Sequence, residues 1–197
     1  MVASVKASGA METVVPDELI KHYPEPSEGL HTLLLKVPNT GKMLFQYIQH
    51  KSISMEWKYW AIDLLENGME TPGIVRLAGE DLDMFPTAFA DLLDTIFREL
   101  NLAVDPETAC CSFIICIAAE VLRGERSPRS GFDVLADAAI SVDYKQPLAD
   151  FYHWREEADI AYVYEYKGSG LRMDNVDEWM FQYFEKLVKA NASYAIE

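Results

Sequence analysis

His153 is followed three and four residues later by Glu156 and Glu157, in the stretch FYHWREEAD. On a helix that spacing stacks an imidazole and two carboxylates on one face, half of the ligand set found at metal sites inside helical bundles. The other half must come from a second helix. The remaining histidines, His22, His31 and His50, all lie in the first fifty residues, where the pattern is least regular. Asp91 with Asp94, and Asp133 with Asp137, are further acids at helical spacing, and oxygen ligands of this kind suit Mg²⁺ in phosphate chemistry. Residues 54–197 hold 27 acids, however, so several such pairs arise without any function. The sequence contains no glycine-rich phosphate loop, no Gly-x-Ser-x-Gly turn and no HExxH helix. A metal-dependent helical hydrolase using these carboxylates with His153 is therefore the alternative reading, and no catalytic residue, metal ligand or cofactor is assigned.

The three cysteines, Cys110, Cys111 and Cys116, fall within CCSFIICIAAEVL. Neighbours on one helix do not bridge each other readily, and no second cluster completes a four-ligand zinc site. They are expected to be reduced core residues, consistent with a cytoplasmic compartment.

A different chemistry is offered by DFYHWREEADIAYVYEY. Tyr152, Trp154, Tyr162, Tyr164 and Tyr166 alternate there with Asp150, Glu156, Glu157 and Asp159. Tyrosine and tryptophan anchor protein interfaces, and an acidic rim around them favours a basic partner. These nine residues are the expected partner-binding surface.

The elements that must carry these groups read as helices. Ser54 precedes an apolar stripe, Trp57, Trp60, Ala61, Leu64 and Leu65, that stops at Asn67-Gly68. Thr71-Pro72 starts the next helix and Gly79 ends it, so both Gly68 and Gly79 are expected to be left-handed. Phe85, Phe89, Leu92, Leu93, Ile96, Phe97 and Leu100 form one stripe. Asp105-Pro106 opens a helix that is apolar nearly all round from Ala109 to Ala119, and so belongs at the centre. Further helices are expected from a Ser130 cap, from Pro147, and from Asp174 to about Ala190. The first fifty residues carry four prolines between Val14 and Pro38, and HTLLLKV reads there as an extended segment. An extended arm packed across the helices, leading to a helix at about 42–50, is the expectation. The result is an all-α fold: a compact bundle of about six or seven helices with an irregular N-terminal arm, residues 1–53 joining an acidic helical domain over 54–197.

Charge sharpens the division. Residues 1–53 hold five lysines and five acids, so the whole net charge of −15 resides in residues 54–197. Such a field repels nucleic-acid phosphates and attracts basic surfaces. No apolar run reaches the ~20 residues of a membrane helix, and the first fifteen residues read as a loose tail rather than a signal peptide.

Trp60 to Gly79, WAIDLLENGMETPGIVRLAG, resembles a segment of small bacterial all-helical proteins, many uncharacterised and some immunity-like partners of secreted toxins. The resemblance covers about a tenth of the chain and transfers no catalytic residue. It implies a bacterial cytoplasmic protein that works by binding, which agrees with the expectation of a non-enzymatic protein whose acidic helical surface holds a basic partner.

Overall fold

The computed structural model describes residues 14–49, 53–80, 83–143, 145–163 and 175–194, the side chains of 161–163 excepted. The described residues form nine α-helices and no strand: α1 Glu28–Lys36, α2 Thr40–Ile48, α3 Met55–Glu66, α4 Pro72–Gly79, α5 Pro86–Glu99, α6 Pro106–Leu122, α7 Pro128–Ser141, α8 Ala149–Val163 and α9 Val176–Ala190. The all-α expectation holds, while the helix count exceeds six or seven.

Part of the difference is α1. HTLLLKV is helical, not extended, because Leu30, Leu33 and Leu34 share one buried face and Ser27 Oγ accepts the Leu30 N–H. Prolines at 16, 24 and 26 stop short of this helix, so nothing breaks it. Residues 14–27 remain a non-helical arm apart from one 3-10 turn at Asp17–Leu19.

Helix starts follow the expected chemistry with one shift. Thr71 and Asp105 accept the N–H groups of Ile74 and Thr108, each with a proline in the first turn. For α7 the cap is Ser127, which bonds Ser130 N, rather than Ser130 itself; Pro128 belongs in the first turn and fixes the register. Ser54 has the backbone of a cap without a side-chain bond. At the other ends, Gly68 has φ of +75° and the paired bonds Gly68 N to Leu65 O and Met69 N to Leu64 O close α3. Gly79 does not share this geometry. The chain leaves α4 through an extended Glu80, so no left-handed residue is required.

Helix α6 is the axis. Every residue from Ala109 to Val121 is buried, and α2, α7 and α9 pack around it. The α2 contact is close because Gly41 has no side chain: a Cβ there would lie 2.5 Å from the Ser112 carbonyl oxygen. Phe45 stacks on Phe113 beside this seam, with centroids 4.3 Å apart. From the seam, Trp60 Nε1 donates to buried Thr40 Oγ1, and Trp57 meets Phe89 edge-on, which ties α3 and α5 to the core. Across α6, Phe132 of α7 touches Phe151 of α8 and Trp179, Tyr183 and Phe184 of α9. The buried Glu120 carboxylate is held by Lys42 and by Arg126 Nε, so the one buried charge in α6 is paired twice.

Candidate protein-binding surface

Helix α8 carries most of the aromatic and acidic residues singled out above, and the fold separates them into three groups. Phe151 and Ala158 face the core, and half-buried Trp154 packs on Trp179 at 4.9 Å. Half-buried Tyr152 lies under the Arg155 guanidinium, 5.3 Å from its ring centre. These two aromatics therefore serve helix packing, with little ring left for a partner. Asp150 forms an ion pair at 3.3 Å with Lys21 of the arm. His153, Glu156, Asp159 and Ile160 are exposed, and half-buried Glu157 has one carboxylate oxygen shielded with no hydrogen-bond partner among the described residues. Tyr162 sits in α8 by its backbone, and Tyr164 and Tyr166 lie outside the described residues.

Part of the charge of this face is neutralised within the fold. Arg129 of α7 reaches both Asp159 and Asp133, and Arg155 Nη1 donates to Asp137 at 2.7 Å. Both members of the Asp133/Asp137 pair are thus ion-paired. Asp91 and Asp94 lie on a different helix, α5, and Asp94 accepts the Tyr47 hydroxyl at 2.5 Å. That bond, together with partial burial, pushes the Tyr47 phenol up to about 12. Among the described residues no group of three or more His, Cys, Asp or Glu side chains is placed to hold a metal ion. The structure does not bring His153 and the acid pairs together.

A second acidic face was hidden in the division at residue 53. Residues 54–107 contain twelve acids and three basic residues, Lys58, Arg76 and Arg98. Among the described residues its ion pair is Arg76–Glu80 at 3.5 Å. Other acids here bind neutral donors. Glu99 Oε2 accepts the Gly73 N–H at 2.9 Å at the start of α4, Glu56 accepts from Gln46, and Asp105 caps α6. Asp91 is exposed on α5. The same stretch exposes Met55, Tyr59, Val75 and Phe85. Phe85 is displaced from its expected place on the α5 stripe: it precedes Pro86 as the extended N-cap residue and is 83% exposed. A tally of charge by helix, set beside the Phe-Pro boundary, is the signal that marks this face.

The cysteines are free and buried. Burial raises all three thiols, Cys110 and Cys116 to about 11 and Cys111 to about 12, which removes the thiolate needed of a nucleophile near neutral pH. Cys110 lines an open cleft of about 900 Å³ between the ends of α2, α6 and α7, where Asp105, Glu107, Asp143 and Lys145 also gather. No helix of the described residues is long and apolar enough to cross a membrane. No protein-family model, curated protein or solved structure matches this chain.

Proposed function

We propose that the chain is a non-enzymatic binding protein, immunity-like in its mode of action, that holds a basic protein partner on an acidic helical surface in the cytoplasm of a bacterium. The carrying observation is the charge left uncompensated on residues 54–107, together with four exposed apolar side chains in the same stretch. Acids without internal cations keep their field for a partner, and an exposed phenylalanine beside them can act as an anchor. The α8 face, with Glu156, Glu157 and Asp159, is the second part of the surface, weaker because Arg129 and Arg155 already answer its neighbours.

The test begins with capture of a partner on the immobilised chain, followed by association kinetics at low and high salt. A basic partner is expected. Reversing Asp91 and Asp83, which is exposed two residues before Phe85, to lysine should slow association about tenfold or more at low salt, and reversing Glu156, Glu157 and Asp159 should slow it less. A captured partner that is neutral or acidic, or one indifferent to salt and to both reversals, would overturn the reading. Stoichiometric metal in purified protein would move the balance to the hydrolase.

A further inference from the structure

A cleft of about 360 Å³ opens between the start of α1, the turn joining α3 to α4 and the segment that follows α5. That volume falls at the low end of the ~300–1,000 Å³ of ligand clefts. Leu33, Met69, Leu100 and Leu102 make its apolar part, and exposed Glu28 stands beside them in the lining.

A glycine keeps the cleft open. Gly29 lies within α1, although glycine is a poor helix former. Gly41, Gly73 and Gly131 are also helical, but a Cβ at each would lie 2.5, 2.7 and 2.8 Å from a neighbouring atom, so close packing requires them. At Gly29 a Cβ would meet only Leu102 Cδ2, at 3.8 Å, which is ordinary contact. What the missing side chain leaves is room beside Leu33 and Leu102.

The surroundings of this room are acidic. Glu70 follows Met69, and Glu99, whose Oε2 accepts the Gly73 N–H at 2.9 Å, precedes Leu100. From Tyr59 to Val75 the chain has three acids, Asp63, Glu66 and Glu70, and no lysine or arginine. Arg98 is the lysine or arginine nearest the lining in sequence and is not part of it. Among the described residues neither Glu28 nor Glu70 makes an ion pair. An apolar floor with a carboxylate margin and no cation of its own fits an alkyl stem that ends in positive charge. Arginine suits it better than lysine, because the guanidinium is more weakly hydrated and pairs with a carboxylate through two parallel bonds.

We propose, building on the basic-partner reading above, that this cleft is the socket for an arginine side chain of that partner. The stem lies on Leu33, Met69, Leu100 and Leu102, and the guanidinium meets Glu28. The socket gives the acidic surface a second anchor point, at the end of α5 opposite Phe85.

The probes are the acetylated, amidated tripeptide Gly-Arg-Gly and its counterparts with citrulline, an uncharged isostere, or norleucine at the centre. Each is titrated at low salt into the full chain carrying ¹³C-labelled methyl groups. The arginine peptide should give saturable shifts at the Leu33, Met69, Leu100 and Leu102 methyls, with affinity about threefold or more above either counterpart. Gly29→Ala should keep this binding, Gly29→Met, which fills the cleft, should weaken it about tenfold or more, and Glu28→Gln about threefold. Equal binding of the citrulline peptide, stronger binding of the norleucine peptide, or no saturable shift with arginine would each overturn the proposal. Should Glu28→Gln bind the arginine peptide unchanged, the proposal falls even if Gly29→Met does not fold. Gly29→Met keeps every charge, so it also separates the socket from the surface around it. A captured basic partner that binds Gly29→Met unchanged, still with its salt dependence, would overturn the socket and leave the acidic surface standing. A partner indifferent to salt would overturn the basic-partner reading, and the socket with it.

Discussion

The two sides of α6 treat charge in opposite ways. Around α7 and α8, arginines from one helix reach acids of the other, and the Phe132 cluster fills the space beneath. Around α3, α4 and α5, acids meet hydroxyls, amides and backbone N–H groups, and large apolar side chains stand in solvent. The first arrangement serves cohesion, since paired charges and packed rings have little left to offer a partner. The second keeps both charge and apolar area outside the fold's own accounts, so it is the side where function has the most room. A helix rich in acids and aromatics is therefore a weaker pointer to an interface than acids that the fold leaves unanswered.

The sharpest way to break this contrast is a pair of phenylalanine truncations. Phe132→Ala should cost about 3–5 kcal/mol in denaturant unfolding, because a fully buried ring leaves a cavity among four aromatic neighbours. Phe85→Ala should fall within about 0.5 kcal/mol of the unmodified protein and show itself only in partner binding. Similar losses at both positions would mean that the two sides do not differ in cohesion.

A smaller effect is expected at Asp105, where the α3–α5 side meets α6. Burial raises this carboxyl, but hydrogen bonds from the Thr108, Glu107 and Asp105 groups outweigh it and the net shift is downward. A lowered folded pKa means that the stabilisation is fully present above the ordinary value of 3.8 and is lost as pH falls through the folded value. Asp105→Ala should cost about 1 kcal/mol at neutral pH, as loss of a helix cap does, and the cost should fade below that ordinary value. Unfolding curves of both proteins across the acid range measure it.

The smallest effect compares single charges. Asp159→Lys breaks the contact with Arg129 and should destabilise by about 0.2–1 kcal/mol. Asp91→Lys, on the uncompensated side, should be neutral or slightly stabilising because it relieves like-charge repulsion. Thermal melts at low salt distinguish them, and a larger loss at Asp91 would reverse the assignment of the two faces.

Much of the scaffold was legible from local chemistry. Thr71-Pro72, Asp105-Pro106 and Asn67-Gly68 behave as helix boundaries because their bonds are made within a few residues. Errors arose where a neighbour decided the outcome. Pro128 moved the α7 cap to Ser127, Pro86 placed Phe85 at a helix start, and the prolines at 16, 24 and 26 masked the Leu30, Leu33 and Leu34 face of α1. The candidate surface was less legible still. Nothing near Asp150 in sequence says that Lys21 will meet it, and nothing near Asp159 names Arg129. Which acids remain available to a partner is a property of tertiary pairing, so it emerges only once the helices are packed.

The arm joins residues whose synthesis is far apart in time. Tyr23 and Asn191 are separated by 168 positions, and Lys186 bonds Val15 across 171. At about 5–20 residues per second on a ribosome, the arm exists for roughly ten to thirty seconds before Asn191 does. During that interval α1 and α2 can assemble with α6, yet Lys21, Tyr23 and Pro24 have no dock. A nascent chain therefore exposes a short basic-aromatic peptide until the end of α9 is made, and the arm closes only after that segment has emerged.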